Sequence, residues 1–234
     1  MRLSLDLILP MGAESQTSRK PRGRNGRATL GDQGVERRIV DDASAPGTAQ
    51  FAAGVLSEGF GDDRRPLFLF GAGHVGRALV LAMAPLPFSV TWIDPRPDTF
   101  PAYVAANVAT VGVSYPLMAL TGAPAGSFVL AMTHSHALDL AVVHAALADA
   151  RFDYVGVIGS KTKRARFAKR LAEGGIASER IAQLVCPIGV EGIRGKAPAV
   201  IAAATVAELL VRDDALRAAQ ASMTNRVAVG GTRA

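Results

Sequence analysis

The stretch Pro66-Leu67-Phe68-Leu69-Phe70-Gly71-Ala72-Gly73-His74-Val75-Gly76-Arg77-Ala78-Leu79-Val80-Leu81-Ala82-Met83 decides the fold. Four consecutive apolar residues, Leu67 to Phe70, read as a buried strand, the glycines as a tight turn, and His74 to Met83 as a helix. A second apolar run, Phe88 to Ile93, closes on Asp94. In a GxGxxG turn each glycine has a separate task. Gly71 makes the turn, Gly73 lets backbone approach a pyrophosphate, and Gly76 lets the helix pack closely on the strand. The first helical amides, His74 included, then face an anion. Asp94 falls about 20 residues on, where a carboxylate can accept from a ribose 2′-OH. The competing reading is a glycine turn that packs a helix on a sheet and holds nothing.

Outward from this point the pattern stays regular. Pro85 and Pro87 stop the first helix. A short strand is expected at Tyr103–Ala105 or Val108–Val111, a short helix at Tyr115–Leu120, and a strand at Ser127–Met132. Ala137–Ala150 reads as a helix, Asp153–Ile158 as a strand, Lys161–Glu173 as a helix stopped by Gly174-Gly175, and Ala197–Val211 as an Ala-rich helix. Strand and helix alternate, so the fold class is α/β: a doubly wound, mostly parallel, Rossmann-like sheet with a poorly ordered N-terminal arm. The expected divisions are an irregular arm over 1–65, the sheet domain over 66–215 and a tail over 216–234. In the arm, Arg2–Leu9 reads as a strand or a helix turn, Gly12–Gly47 has no sustained period, and Gln50–Phe60 suggests a short helix through Phe51, Val55 and Leu56.

Composition narrows the function classes. The 234 residues carry 26 Lys and Arg against 20 Asp and Glu, a formal charge of +6. Part of that excess lies at Arg19–Arg27 and part on the helix beginning at Lys161, which reads as solvated surface. With 6% aromatic residues and no nucleic-acid motif, a nucleic-acid binder is not expected. No apolar run is long enough to span a membrane, and Met1–Pro10 lacks a cleavage site, so no membrane association is expected. The single cysteine, Cys186, fits a reducing, cytoplasmic setting.

Ligands of doubly wound sheets sit at the carboxyl ends of the strands. Besides the glycine turn, two polar segments fall there. Thr133-His134-Ser135-His136 admits three readings: a metal pair, hydrogen bonding to a phosphate or sugar, or a helix N-cap with exposed histidines. Gly159-Ser160-Lys161 offers backbone access, a hydroxyl and a cation, but not the spacing of a P-loop. Cys186, ahead of Pro187-Ile188-Gly189, is either a thiolate, as a metal ligand or a nucleophile, or a small buried residue. No catalytic residue set is evident.

Five segments agree in order and spacing with one family. They are Phe70 to Leu79, Ile93-Asp94-Pro95-Arg96, Thr133 to Asp139, Tyr154 to Arg164, and Cys186-Pro187-Ile188-Gly189 with Ile193-Arg194-Gly195-Lys196. Over residues 66–212 the chain closely resembles the C-terminal domain of the xanthine dehydrogenase accessory protein family, the XdhC/CoxI type. That resemblance implies a carrier rather than an enzyme. Family members bind the molybdenum cofactor (molybdopterin), protect it while its terminal sulfido ligand is installed, and pass it to a molybdenum hydroxylase apoenzyme. Implied partners are that apoenzyme and a cysteine desulfurase, with a homodimer as one assembly open to the chain. The family's N-terminal Cys-Gly-Gly-type segment is not found in residues 1–65, which hold no cysteine. The alternative is an NAD(P)-dependent oxidoreductase.

Overall fold

The computed structural model describes residues 64–230 continuously and, ahead of them, four short strands between Asn25 and Glu58; side chains are described over 64–220 and at Ser222. The chain divides into two units, Met1–Asp63 and Arg64–Ala234. In the first, β1 (Asn25–Gly31) pairs antiparallel with β2 (Gly34–Val40), and β3 (Ala49–Ala52) with β4 (Val55–Glu58). The helix expected over Gln50–Phe60 is therefore corrected to an antiparallel pair of strands. In the backbone register Phe51 pairs with Leu56 and Ala52 with Val55, so the spacing read as helical belongs to paired strand positions. The Gly12–Gly47 stretch contains β1 and β2, whose register runs from Asn25 against Val40 to Gly31 against Gly34. The expectation for Arg2–Leu9 lies outside the described residues.

The second unit holds a six-stranded sheet of β5 (Arg65–Phe70), β6 (Phe88–Asp94), β7 (Val108–Gly112), β8 (Phe128–Ala131), β9 (Tyr154–Val157) and β10 (Leu184–Val185). All pairings are parallel, in the order β10-β9-β8-β5-β6-β7. The helices are α1 (His74–Met83), α2 (Met118–Thr121), α3 (His136–Ala148), α4 (Lys161–Glu173), α5 (Ser178–Ala182) and α6 (Pro198–Gly230).

The apolar runs are continuous because both sheet faces are covered. Phe68 and Phe70 point to one face and pack with Val142, Val143 and Ala146 of α3 and Phe167 and Leu171 of α4. Leu67 and Leu69 point to the other and pack with Leu79 and Met83 of α1 and Ala202 and Leu209 of α6. The chain winds outward from β5 through β6 to β7, then returns to the far side of β5 to build β8, β9 and β10. That reversal leaves a crevice beyond the carboxyl ends of β5 and β8, the switch point where doubly wound sheets take ligands.

α6 runs well past the expected end at Val211, through residues expected to form a tail. Within this extension Asp213 is buried. Asp213 accepts from Arg65 Nε at 2.7 Å and from Arg217 Nε, one turn on, at 2.8 Å. The Arg65 guanidinium also lies over the Phe128 ring, 5.3 Å from its centre. The first residue of β5 is thus clamped to α6.

Candidate functional site

At the end of β5 the three glycines separate into two kinds. Gly71 has φ of +116°, and a Cβ there would stand 2.3 Å from the Met132 carbonyl oxygen. A Cβ on Gly76 would stand 2.2 Å from the Gly71 carbonyl oxygen. Both positions are required by the fold, because helix, turn and neighbouring strand meet there backbone to backbone. The Gly71 carbonyl also accepts from the Trp92 indole Nε1 at 3.0 Å. Gly73 differs. It is exposed, its φ of −75° suits any residue, and a Cβ would meet nothing within 4 Å. What a side chain would take away at Gly73 is open approach from the crevice to backbone. No side chain caps α1, so the amides of its first turn, beginning at exposed His74, face outward without a side-chain partner.

Asp94, at the end of β6, is fully buried. Its Oδ2 accepts from Ala72 N at 2.8 Å and Arg96 Nη2 at 3.0 Å; its Oδ1 accepts from Arg96 N at 3.0 Å and Arg96 Nε at 2.9 Å. Four donors occupy the four lone-pair sites of a carboxylate. The ribose contact expected of Asp94 therefore finds no free acceptor; the acid reads its own protein. Burial pushes its pKa up, but the hydrogen bonds from Arg96 and Ala72 and the Arg96 charge outweigh that and hold it below the usual carboxylate range. Arg96 was absent from the expected site set, although Asp-Pro is a turn-initiating pair and a donor two residues after an Asp is the pattern of an Asx turn.

After β8 the chain makes a second closed arrangement. Ser135 caps α3, its hydroxyl accepting from Leu138 N at 3.3 Å. Asp139, also fully buried, accepts from Thr133 N at 2.8 Å and from Lys163 Nζ at 2.7 Å, with Thr133 Oγ1 2.8 Å from the same Oδ1 as the amide. Lys163 Nζ also donates to the Ile158 carbonyl at 2.7 Å and lies 5.1 Å from the centre of the Phe167 ring. Ser160 caps α4 by accepting from Lys163 N at 3.2 Å. A cavity of about 380 Å³ opens between the two loops, lined by Thr133, His134, His136, Gly159, Ser160 and Arg166 among others. His134 and His136 are exposed at its mouth.

The structure thus gathers Gly71–His74, Thr133–His136 and Gly159–Ser160 at the carboxyl edge of the sheet. Lys161 points elsewhere, into a larger cavity of about 1400 Å³ shared with Cys186, Arg164, Arg212 and Glu208. Of the readings open to Cys186, its surroundings are those of a small buried residue. Its thiol is buried, burial pushes its pKa up despite Lys163 and Arg164, and its Sγ contacts the Ser160 carbonyl at 3.7 Å. Among the described residues no group of three or more His, Cys, Asp or Glu is placed to hold a metal ion. Nor, among them, is any helix long and apolar enough to cross a membrane.

With the geometry established, residues 67–209 match the model of the XdhC Rossmann domain. The chain belongs to this family. The chain is 32% identical over 156 residues to the uncharacterized protein YqeB of Escherichia coli (strain K12), an alignment covering 63% of this chain and 27% of YqeB. The fold of the chain resembles the crystal structure of a xanthine dehydrogenase from Bacillus halodurans at a TM-score of 0.59 and 21% identity, over 82% of this chain and 60% of that one. The chain therefore spans about a quarter of YqeB and three fifths of the Bacillus protein.

Proposed function

We propose that this chain serves the maturation of a molybdenum hydroxylase such as xanthine dehydrogenase, as a non-catalytic carrier of the molybdenum cofactor. Membership of the XdhC Rossmann domain family supports the general role. The observation that carries the binding part is Gly73, a turn residue whose missing side chain the packing does not require. It leaves backbone amides at the switch point open to a phosphate, and molybdopterin bears one. The chain's own residues fit the phosphate end of this cargo through Gly73, His74 and the capped helix starts at Ser135 and Ser160. Toward the metal end the chain's one thiol, Cys186, is buried.

In this reading the carrier shields the cofactor while a cysteine desulfurase supplies the sulfido sulfur, then delivers it to the apoenzyme in the cytoplasm. The rival, an NAD(P)-dependent oxidoreductase, is favoured by the strand order, which is that of dinucleotide-binding sheets. Mass spectrometry of the protein purified from its own cells separates the two. A retained phosphorylated pterin supports the carrier, as does loss of hydroxylase activity with apoenzyme still made when the gene is deleted. Retention of a nicotinamide dinucleotide alone, with hydroxylase unaffected by deletion, overturns it.

A further inference from the structure

We infer that Arg96, not Asp94, is the residue that selects the ligand in this crevice, and that it selects a phosphomonoester over a free ribose diol. The inference rests on the crevice being the binding site, and goes beyond it by naming what is read there.

The acid at the end of β6 is saturated. Its four acceptor positions are filled by Ala72 N and three donors of Arg96, and none of its surface is exposed. A ribose diol arriving there would have to displace an internal donor, leaving a buried charge short of one partner. Arg96 is the reverse case. Its side chain is 47% exposed, and only Nε and Nη2 are spent on Asp94. Nη1, with its two N–H groups, makes no hydrogen bond among the described residues, and a guanidinium has no acceptor to offer. The outward edge of the fork therefore suits an oxyanion, and a phosphomonoester best, since its oxygens can take parallel N–H donors.

The fork is also held in place. Asp94 grips it from beneath in a two-point contact. The Arg96 carbonyl accepts from Thr99 N at 3.1 Å and Thr99 Oγ1 at 2.6 Å, and the Thr99 carbonyl accepts from the Arg77 guanidinium of α1 at 2.5 Å. The 96–99 turn is thereby tied to the helix that follows Gly73. Ala72 N and Arg96 Nη2 share one oxygen of Asp94, so the guanidinium and the glycine turn are immediate neighbours. A fixed cation beside open backbone amides needs little ordering on binding.

A phosphomonoester in this crevice has two sources, the 2′-phosphate of a dinucleotide or the terminal phosphate of a pterin side chain. Calorimetry with two matched pairs distinguishes them: NADP⁺ against NAD⁺, and neopterin monophosphate against neopterin. The wild-type protein is expected to prefer the phosphorylated member of at least one pair by about tenfold or more. In Arg96→Gln that preference falls to near parity. Arg96→Lys, which keeps a cation for Asp94 but lacks the outward fork, gives an intermediate ratio and serves if the glutamine variant does not fold. Equal binding within both pairs, no binding of either, or a preference that survives both substitutions overturns the inference. A protein that prefers NADP⁺ through Arg96 yet never retains a pterin in cells sinks the carrier role and leaves Arg96 standing. One that retains a pterin regardless of Arg96 does the opposite.

Discussion

The crevice has two sides, and each is built over a fully buried aspartate with one cation in contact. On the β6 side Asp94 holds Arg96; on the β8 side Asp139 holds Lys163. The cations are used in opposite ways. Lys163 has 11% of its side chain exposed and spends its ammonium on Asp139, the Ile158 carbonyl and the Phe167 ring, so the pair joins two loops. Arg96 has 47% exposed and keeps part of its fork for the solvent side. A buried carboxylate can thus either lock a structure or aim a charge, and the difference lies in whether its partner has donors left over.

The sharpest way to break the comparison is to remove the structural acid. Asp139→Ala leaves Lys163 buried without its partner, and denaturant titration is expected to show a loss of about 3–5 kcal/mol. A loss below about 1 kcal/mol would mean that the β8 side is not locked as described. Next in size is Gly71→Ala, which forces a Cβ against the Met132 carbonyl at positive φ; a cost of about 1–3 kcal/mol is expected in the same measurement.

A smaller effect is expected from Asp94, and its sign follows from the direction of its shift. A carboxyl held below its unfolded value near 3.9 contributes stability that is present above that pH and lost as pH falls through the folded value. Asp94→Asn should therefore lower stability at neutral pH and flatten the acid limb of the stability profile, measured by urea titration from pH 7 down to pH 2. An unchanged acid limb would count against the clamp. The smallest change in stability belongs to Gly73→Val. With open space around the new side chain, folding is expected to stay within about 0.5 kcal/mol of wild type, while affinity for a phosphorylated ligand drops. Unchanged affinity would remove the turn from the site.

Much of the sheet was legible because its signals are local. α1 and α4 occupy the expected ranges, His74–Met83 and Lys161–Glu173, since a glycine turn or serine cap starts each and Pro85 or Gly174 limits it. β10 has two residues and α5 has five, too few to show a period. The true end of α6 was hidden because Asp213 finds Arg65 148 residues away, a pairing no local pattern announces. The site was legible as a place more than as chemistry. Gly73, Ser135 and Ser160 could be found from turn and cap rules, yet the saturation of Asp94 depends on a side chain reaching back two residues, and that of Asp139 on a lysine from the next helix.

One detail of the turn gives it a built-in optical probe. The chain has a single tryptophan, Trp92, whose indole N–H rests on the Gly71 carbonyl and whose ring meets Phe100 edge-on at 5.1 Å. Every indole photon therefore comes from directly beneath the glycine turn, so quenching or a spectral shift on titration would report a molecule arriving at this crevice without any label being attached.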